Sequence, residues 1–222
     1  MIYTKKKRKL KFKFQWLLFT FVFIVATILL ITYFNQLNND EPVIEEPIIE
    51  VRELNSIERL ILGARKDALA MPAYISAYYA GGYPPDNEGT CTDLVWRAFK
   101  EAGVLLKDLV DEDIKNNRSN YSHIQYRDPN IDFRRVQNLT VYFKNNAEVL
   151  TTDIYNTSEW KAGDIVVFGR DEHIGIVSDI RNDNDIPYLI HNNNQLEREE
   201  DRLEYGYYTM GITGHYRFRF DE

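Results

Sequence analysis

The chain has 222 residues, 44% of them apolar, enough for one substantial core with appendages and too few for two full domains. Its 27 Lys and Arg stand against 34 Asp and Glu, and seven of the basic residues precede the first acidic one, Asp40, so the rest of the chain is strongly acidic. That balance excludes nucleic acid as a partner, since phosphates demand a positive face, and a single cysteine excludes an internal disulfide, so stability must come from packing.

Residues 1–15 form a basic tail holding Lys5, Lys6, Lys7, Arg8, Lys9, Lys11 and Lys13. An uncharged apolar run follows over 16–34, from Trp16 to Phe34. As a helix it spans about 28 Å at ~1.5 Å per residue, close to the roughly 30 Å of a hydrocarbon core. Its end, Ile31-Thr32-Tyr33-Phe34-Asn35-Gln36, lacks the small residues of a signal-peptide cleavage site, so it reads as an uncleaved transmembrane anchor. The lysine cluster then keeps the N-terminus cytoplasmic and sends everything after Phe34 outside. A nuclear-targeting reading of the same cluster loses to the apolar span directly behind it. Residues 35–52, rich in Asn, Glu and Pro, read as an extended, self-repelling stalk.

The folded domain is expected over 53–222. Leu54, Ile57, Leu60, Ile61, Ala64 and Ala68 recur at helical intervals and predict an amphipathic helix ending near Pro72. A loop from Tyr78 to Pro85 follows, in which the pair Gly81-Gly82 lets the main chain pass close to its surroundings. It leads to Gly89-Thr90-Cys91-Thr92-Asp93. Thr90 and Asp93 have the spacing of a capping box, and Leu94, Val95, Ala98, Phe99 and Ala102 continue at helical spacing to Gly103. Cys91 therefore falls in the first turn of a helix, where unpaired N–H groups and the positive dipole end favour thiolate.

Val104 to Ser158 is less patterned. Tyr121 to Arg135 reads as a long loop and Val136 to Phe143 as a short helix. Asp128-Pro129-Asn130-Ile131-Asp132 has the alternating oxygens of a calcium loop, but Phe133 replaces its required glycine and the closing Glu is missing. Arg134-Arg135 could hold a carboxylate, although a solvated pair is the commoner case. The final third has the spacing of an antiparallel meander: strands at Asp164–Phe168, His173–Ile180 and Pro187–His191, then His215–Phe220 with Tyr216, Phe218 and Phe220 inward.

A thiol nucleophile needs a base that also protonates the leaving group, and imidazole suits both tasks near neutral pH. Of the four histidines, His173 opens a strand and shares a pleat face with Gly175, which leaves room for a sulfur beside its ring. Ile174 and Ile176 point the other way, into the core. His191 ends the next strand and lies beside His173 if the two strands pair, so it can orient the first ring, with Asn192, Asn193 and Asn194 as alternatives. His123 and His215 read as structural.

Taken together, Tyr78-x-x-Gly81-Gly82, Cys91 at a helix start, Gly163-Asp164-Ile165-Val166-Val167-Phe168, His173-Ile174-Gly175-Ile176-Val177 and Ile190-His191 resemble the NlpC-type cell-wall cysteine peptidases, a circularly permuted papain-like superfamily. Gly-Thr-Cys-Thr-Asp and the closing Gly214-His215-Tyr216-Arg217 look most like its YijF-type branch. The resemblance implies a papain-like α+β fold in which N-terminal helices, one carrying the cysteine, pack on an antiparallel sheet. It also implies Cys91 as nucleophile, His173 as base and His191 as the third polar residue, with Tyr78 near the thiol contacting substrate and Gly82 and Asp93 on the substrate side. Thr90-Cys91-Thr92-Asp93 departs from the usual Asp-Cys-Ser-Gly, which bears on the substrate more than on the chemistry.

The expected function is a membrane-anchored, extracytoplasmic amidase or endopeptidase acting on peptidoglycan stem peptides, with no metal or cofactor. Two competing readings are a papain-like thioesterase, acyltransferase or lipid amidase at the membrane surface, and an inactive envelope-binding module with Cys91 buried.

Overall fold

The computed structural model describes residues 3–39 and 52–220, and the chain divides into one unit ending at Val51 and another beginning at Arg52. In the first unit, helix α1 (Tyr3–Asn39) runs without a break through the expected boundaries at 15 and 34. No Gly or Pro interrupts the sequence before Pro42, so nothing stops the helix at the edge of its apolar stretch. The stretch Gln15–Leu37 is long and apolar enough to cross a membrane, as a span or as a signal sequence. Residues 40–51, most of the expected stalk, lie outside the described residues.

The second unit is α+β. Helix α2 (Ser56–Ala70) starts at a capping box, in which the Asn55 side chain accepts the Glu58 N–H at 2.9 Å and Glu58 accepts the Asn55 N–H at 2.9 Å. The short strands β1 (Ala73–Tyr74) and β2 (Glu88–Gly89) pair in parallel and deliver the chain to helix α3 (Cys91–Glu101). Helices α2 and α3 approach closely because Gly63 has no side chain: a Cβ there would lie 2.9 Å from the Cα of Ala98. An ion pair from Arg97 Nη1 to Asp67 Oδ2, 2.6 Å, braces the same contact.

The weakly patterned region holds two more helices, α4 (Leu106–Asn116) and α5 (Val136–Asn146), joined through short 3-10 turns at Arg118–Tyr121 and Asp132–Arg134. The second helix is the predicted one, extended by a turn. Strand β3 (Glu148–Val149) follows, then β4 (Ile165–Phe168), β5 (His173–Arg181), β6 (Pro187–Ile190), β7 (Glu199–Glu200), helix α6 (Leu203–Thr209) and β8 (Ile212–Arg217). These strands form one antiparallel sheet in the order β3-β8-β4-β5-β6-β7.

Side chains alternate across this sheet with period two. Ile165, Val167, Ile174, Ile176, Ile190 and Tyr216 join the helices in the larger core, together with Phe218 and Phe220 as expected. Val166, Phe168, Val177 and Leu189 face the other way and pack with Trp160, Ile186 and Leu203 in a smaller core. On that second face the Asp164 carboxylate accepts from Lys161 N–H (2.8 Å), His215 Nε2 (2.9 Å) and Arg217 Nε and Nη2 (both 2.8 Å). Gly-Asp before β4 and Gly-His-Tyr-Arg in β8 are thus two halves of one buried clasp between adjacent strands.

A second clasp fixes the start of α3. Both oxygens of the Asp93 carboxylate are engaged: Oδ2 accepts from Thr90 N–H (2.8 Å), Thr90 Oγ1 (3.0 Å) and Arg134 Nη2 (2.9 Å), and Oδ1 accepts from Trp96 Nε1 (2.8 Å) and Arg134 Nε (2.6 Å). The predicted cap therefore forms through its carboxylate, and Arg134 is a buried counter-ion instead of half of a solvated pair. Burial alone would raise the Asp93 pKa, but Arg134 and the indole and backbone donors hold it below the usual carboxylate range.

Removing Arg134 would strand a buried carboxylate, so Arg134→Met should cost about 3–5 kcal/mol in urea unfolding of the chain from Arg52 onward. The double change Asp93→Asn with Arg134→Met should cost clearly less than the sum of the single changes. Additive losses would show that the two groups do not act as a pair.

Candidate functional site

Cys91 opens α3 and is 4% exposed. Its sulfur faces the backbone N–H groups of Ile174 and Thr92 and the hydroxyl of Tyr74. Sheet geometry explains the first of these contacts. Val177 N–H bonds Asp164 O at 2.8 Å, so by antiparallel alternation residues 173, 175 and 177 of β5 pair with β4, while 174 and 176 point towards β6. Strand β6 ends at Ile190, opposite Ile176; His191 N–H continues the ladder with the β7 side, bonding Arg198 O at 2.8 Å, and Asn192, next in register with Ile174, makes no backbone bond to it. Ile174 N–H is left without a strand partner and faces the sulfur at the start of α3.

Burial pushes the Cys91 thiol above its ordinary pKa, against the pull of the Ile174 and Thr92 N–H groups and the Tyr74 hydroxyl. Tyr74 itself is raised to about 12, first by burial and then by the adjacent cysteine. The helix start was expected to favour thiolate. At this depth loss of solvent outweighs the dipole, and the resting group is a neutral thiol.

His173 and His191 lie on the sheet face opposite α3, at 6% and 7% exposure. His173 Nε2 and His191 Nδ1 are 2.7 Å apart, with the rings edge to face at 77°. The space beside Gly175 is filled by these neighbours and does not receive the sulfur: an added Cβ would meet Leu189 Cδ1 at 2.8 Å and His191 Cβ at 3.1 Å. Burial lowers His173 to about 3, helped by His191. It lowers His191 to about 4, helped by Arg202 and Arg198.

Among the described residues, the sulfur makes no hydrogen bond to either ring, and no group engages His173 Nδ1. The N–H that faces the sulfur belongs to Ile174, the residue after His173, whose own ring points to the other face of the sheet. Of the alternative orienters, Asn192 is committed elsewhere, donating from Nδ2 to Gly89 O at 3.2 Å. Behind His191, its Nε2 lies 3.1 Å from Glu200 Oε1 and 3.0 Å from Gln195 Nε2.

The other expected residues fall elsewhere. Tyr78 is 59% exposed and its hydroxyl accepts from Asn130 Nδ2 at 3.1 Å. Gly82, at φ 92°, packs against Asn130 and Phe133. Asp93 is buried in its clasp with Arg134. The tyrosine at the thiol is Tyr74, placed there by the pairing of Tyr74 with Gly89, a contact no local pattern announces. Glu200 and Gln195 were likewise invisible to periodicity, since β7 is only two residues long. In the segment that resembled a calcium loop, the Asp128 and Asp132 carboxylates accept backbone N–H groups of Asn130 and Asp128, at 2.9 and 2.7 Å.

A cavity of about 260 Å³ opens on the histidine face, walled by Phe168, Leu189 and Met210 and bounded by His173, His191 and Arg202. A wider one, about 690 Å³, lies between the Ser76–Tyr78 strap and Arg135.

Residues 61–218 match a domain family described as "Domain of unknown function (DUF1287)". The chain is 33% identical over 204 residues to "Uncharacterized protein YijF" of Escherichia coli (strain K12), an alignment covering 87% of this chain and 97% of that one. No solved structure matches. With the match running from α2 to the end of the sheet, and a relative aligned over nearly its whole length, this chain belongs to the DUF1287 family.

Proposed function

We propose that the chain is a membrane-anchored, extracytoplasmic cysteine hydrolase of the papain-like, NlpC type, cleaving amide bonds in peptidoglycan stem peptides. The observation that carries this reading is the sulfur of Cys91 set against the backbone of His173-Ile174, while His173 Nε2 is bonded to His191 Nδ1 at 2.7 Å and its Nδ1 is left unengaged. In this reading Cys91 is the nucleophile, His173 the base and His191 the orienter of the His173 ring.

In this mechanism the resting thiol and imidazoles are neutral. As Sγ bonds to the substrate carbonyl carbon, His173 Nδ1 takes the thiol proton. The oxyanion is held by the Cys91 N–H and the Tyr74 hydroxyl. Collapse breaks the C–N bond, and His173 passes the proton to the departing amine. Water then attacks the thioester and gives a proton to His173, which returns it to the leaving sulfur as the acid product is released. The apolar helix α1 tethers the domain to the membrane, and the lysine cluster sets its orientation.

The apolar walls of the 260 Å³ cavity beside His173 and His191 favour a second reading, in which the acyl group is a lipid chain and the enzyme is a thioesterase, acyltransferase or lipid amidase. Product analysis on acyl esters set against wall fragments separates the two.

The purified full-length chain should release new amine termini from wall fragments and Cys91→Ala should not; equal release by the two proteins would sink the proposal. The pH dependence follows from the shifts. Because His173 and His191 are lowered to about 3 and 4, both remain neutral as pH falls through the ordinary histidine range. The acid limb of kcat/KM should therefore lie below about pH 6, where an unperturbed imidazole would already have lost the base. A limb near the ordinary histidine value would contradict the buried, neutral pair.

A further inference from the structure

His191 Nε2 faces two groups with opposite demands. Glu200 Oε1, at 3.1 Å, belongs to a carboxylate that only accepts, while Gln195 Nε2, at 3.0 Å, belongs to an amide nitrogen that only donates. The Gln195 amide cannot turn over to relieve the conflict. Its Oε1 accepts the Asn193 N–H at 2.7 Å and its Nε2 also donates to His191 O at 3.2 Å, which keeps the donor side towards the ring. The carboxylate is equally fixed, since Glu200 Oε2 accepts from Arg202 Nε at 3.0 Å.

Either choice at Nε2 propagates through both rings. If Nε2 carries the proton and donates to Glu200, His191 Nδ1 is an acceptor. His173 Nε2 must then donate across the 2.7 Å contact, and His173 Nδ1 keeps its lone pair. If Nε2 instead accepts from Gln195, His191 Nδ1 holds the proton and donates it to His173 Nε2, so the remaining His173 proton sits on Nδ1. Only the first arrangement leaves His173 able to take a proton on the side away from His191. A hydrogen bond to an ion-paired carboxylate is roughly twice as strong as one between neutral groups, so Glu200 prevails.

We propose that Glu200 is a positioning residue that sets the tautomers of both His191 and His173, with Gln195 as its built-in competitor. The catalytic consequence rests on the Cys91–His173 reading above; the tautomers themselves do not.

Nitrogen-15 NMR of the imidazoles in the full-length chain in detergent, near neutral pH, tests this directly. In the wild type both rings should be protonated at Nε2; in Glu200→Ala both should shift to Nδ1, and in Gln195→Ala the wild-type pattern should persist. A wild-type pattern in Glu200→Ala, or an inverted one in Gln195→Ala, overturns the proposal. The His215 ring, fixed at both nitrogens by Thr151 O and Asp164, reports whether each variant is folded. Should Glu200→Ala fail that control, Glu200→Gln is read in its place: a raised Nδ1–H population supports the proposal and its absence refutes it. Alkylation of Cys91 by iodoacetamide should fall in parallel by about 100-fold, within the range that base assistance supplies. Inverted tautomers with unchanged alkylation would uphold the role of Glu200 and overturn instead the pairing of Cys91 with His173.

Discussion

The candidate site depends on the Asp93 carboxylate. Five donors converge on it, from Thr90, Trp96 and Arg134, so one buried charge caps α3, anchors an indole and recruits a guanidinium from the 3-10 turn at Asp132–Arg134. Arg134 carries the linkage further, donating from Nη1 to Ala77 O at 2.8 Å. Ala77 lies on the strap that begins with β1, and Tyr74 of β1 meets the thiol. The sulfur is thus enclosed between two elements, the helix start and the strap, that answer to the same carboxylate. Burying that charge is costly, and complete satisfaction of both oxygens is what makes the burial tolerable.

Electrostatics at the thiol are decided by depth. A helix start contributes about 0.3–1 kcal/mol in favour of a negative charge, up to ~2 kcal/mol in partly buried geometry. Each pKa unit of desolvation is worth about 1.4 kcal/mol, and burial can supply several units. With Cys91 4% exposed, desolvation wins, and the same loss of solvent keeps both imidazoles uncharged. In the proposed hydrolase reading such a site starts without a thiolate–imidazolium pair, so proton transfer accompanies attack and the tautomer of His173 matters more than its basicity.

Much of the scaffold was legible because it repeats. The apolar spacing from Leu54 to Ala68 fixed α2, the run after Cys91 fixed α3, and alternation placed Ile174 and Ile176 in the core with His173 on the opposite face. What repetition cannot carry is contact between distant segments. Arg134 reads as half of a solvated pair because nothing nearby in sequence announces Asp93, and the sequence points to Tyr78 in place of Tyr74 because only the pairing of β1 with β2 tells them apart. The insertion of β8 between β3 and β4 is of the same kind, as its buried partner Asp164 lies far back in the chain. Helix α1 outran its expected ends for a simpler reason: apolarity marks where a span begins, but only Gly, Pro or a cap ends a helix.

The four histidines can be sorted by how their ring nitrogens are used. His215 has both engaged, Nδ1 with Thr151 O at 2.6 Å and Nε2 with Asp164 at 2.9 Å, and its ring lies flat on Trp160 at 3.7 Å, so it is a strut. His123 is tied through Nε2 to Asn138 Oδ1 at 2.6 Å, beside the wider cavity and away from the cysteine. His191 also has both nitrogens engaged, but one of them by another imidazole, which suits a residue that passes orientation along without accepting a proton. His173 and His123 each combine, among the described residues, a nitrogen held by a fixed partner with a second that no group engages; His173 differs in being held by another imidazole and in preceding Ile174, whose N–H faces the sulfur. A base needs one nitrogen fixed and the other free. In the proposed hydrolase reading, hydrogen-bond accounting sets His215 and His191 aside as base, and place in the fold, next to Ile174 and away from the wider cavity, is what favours His173 over His123.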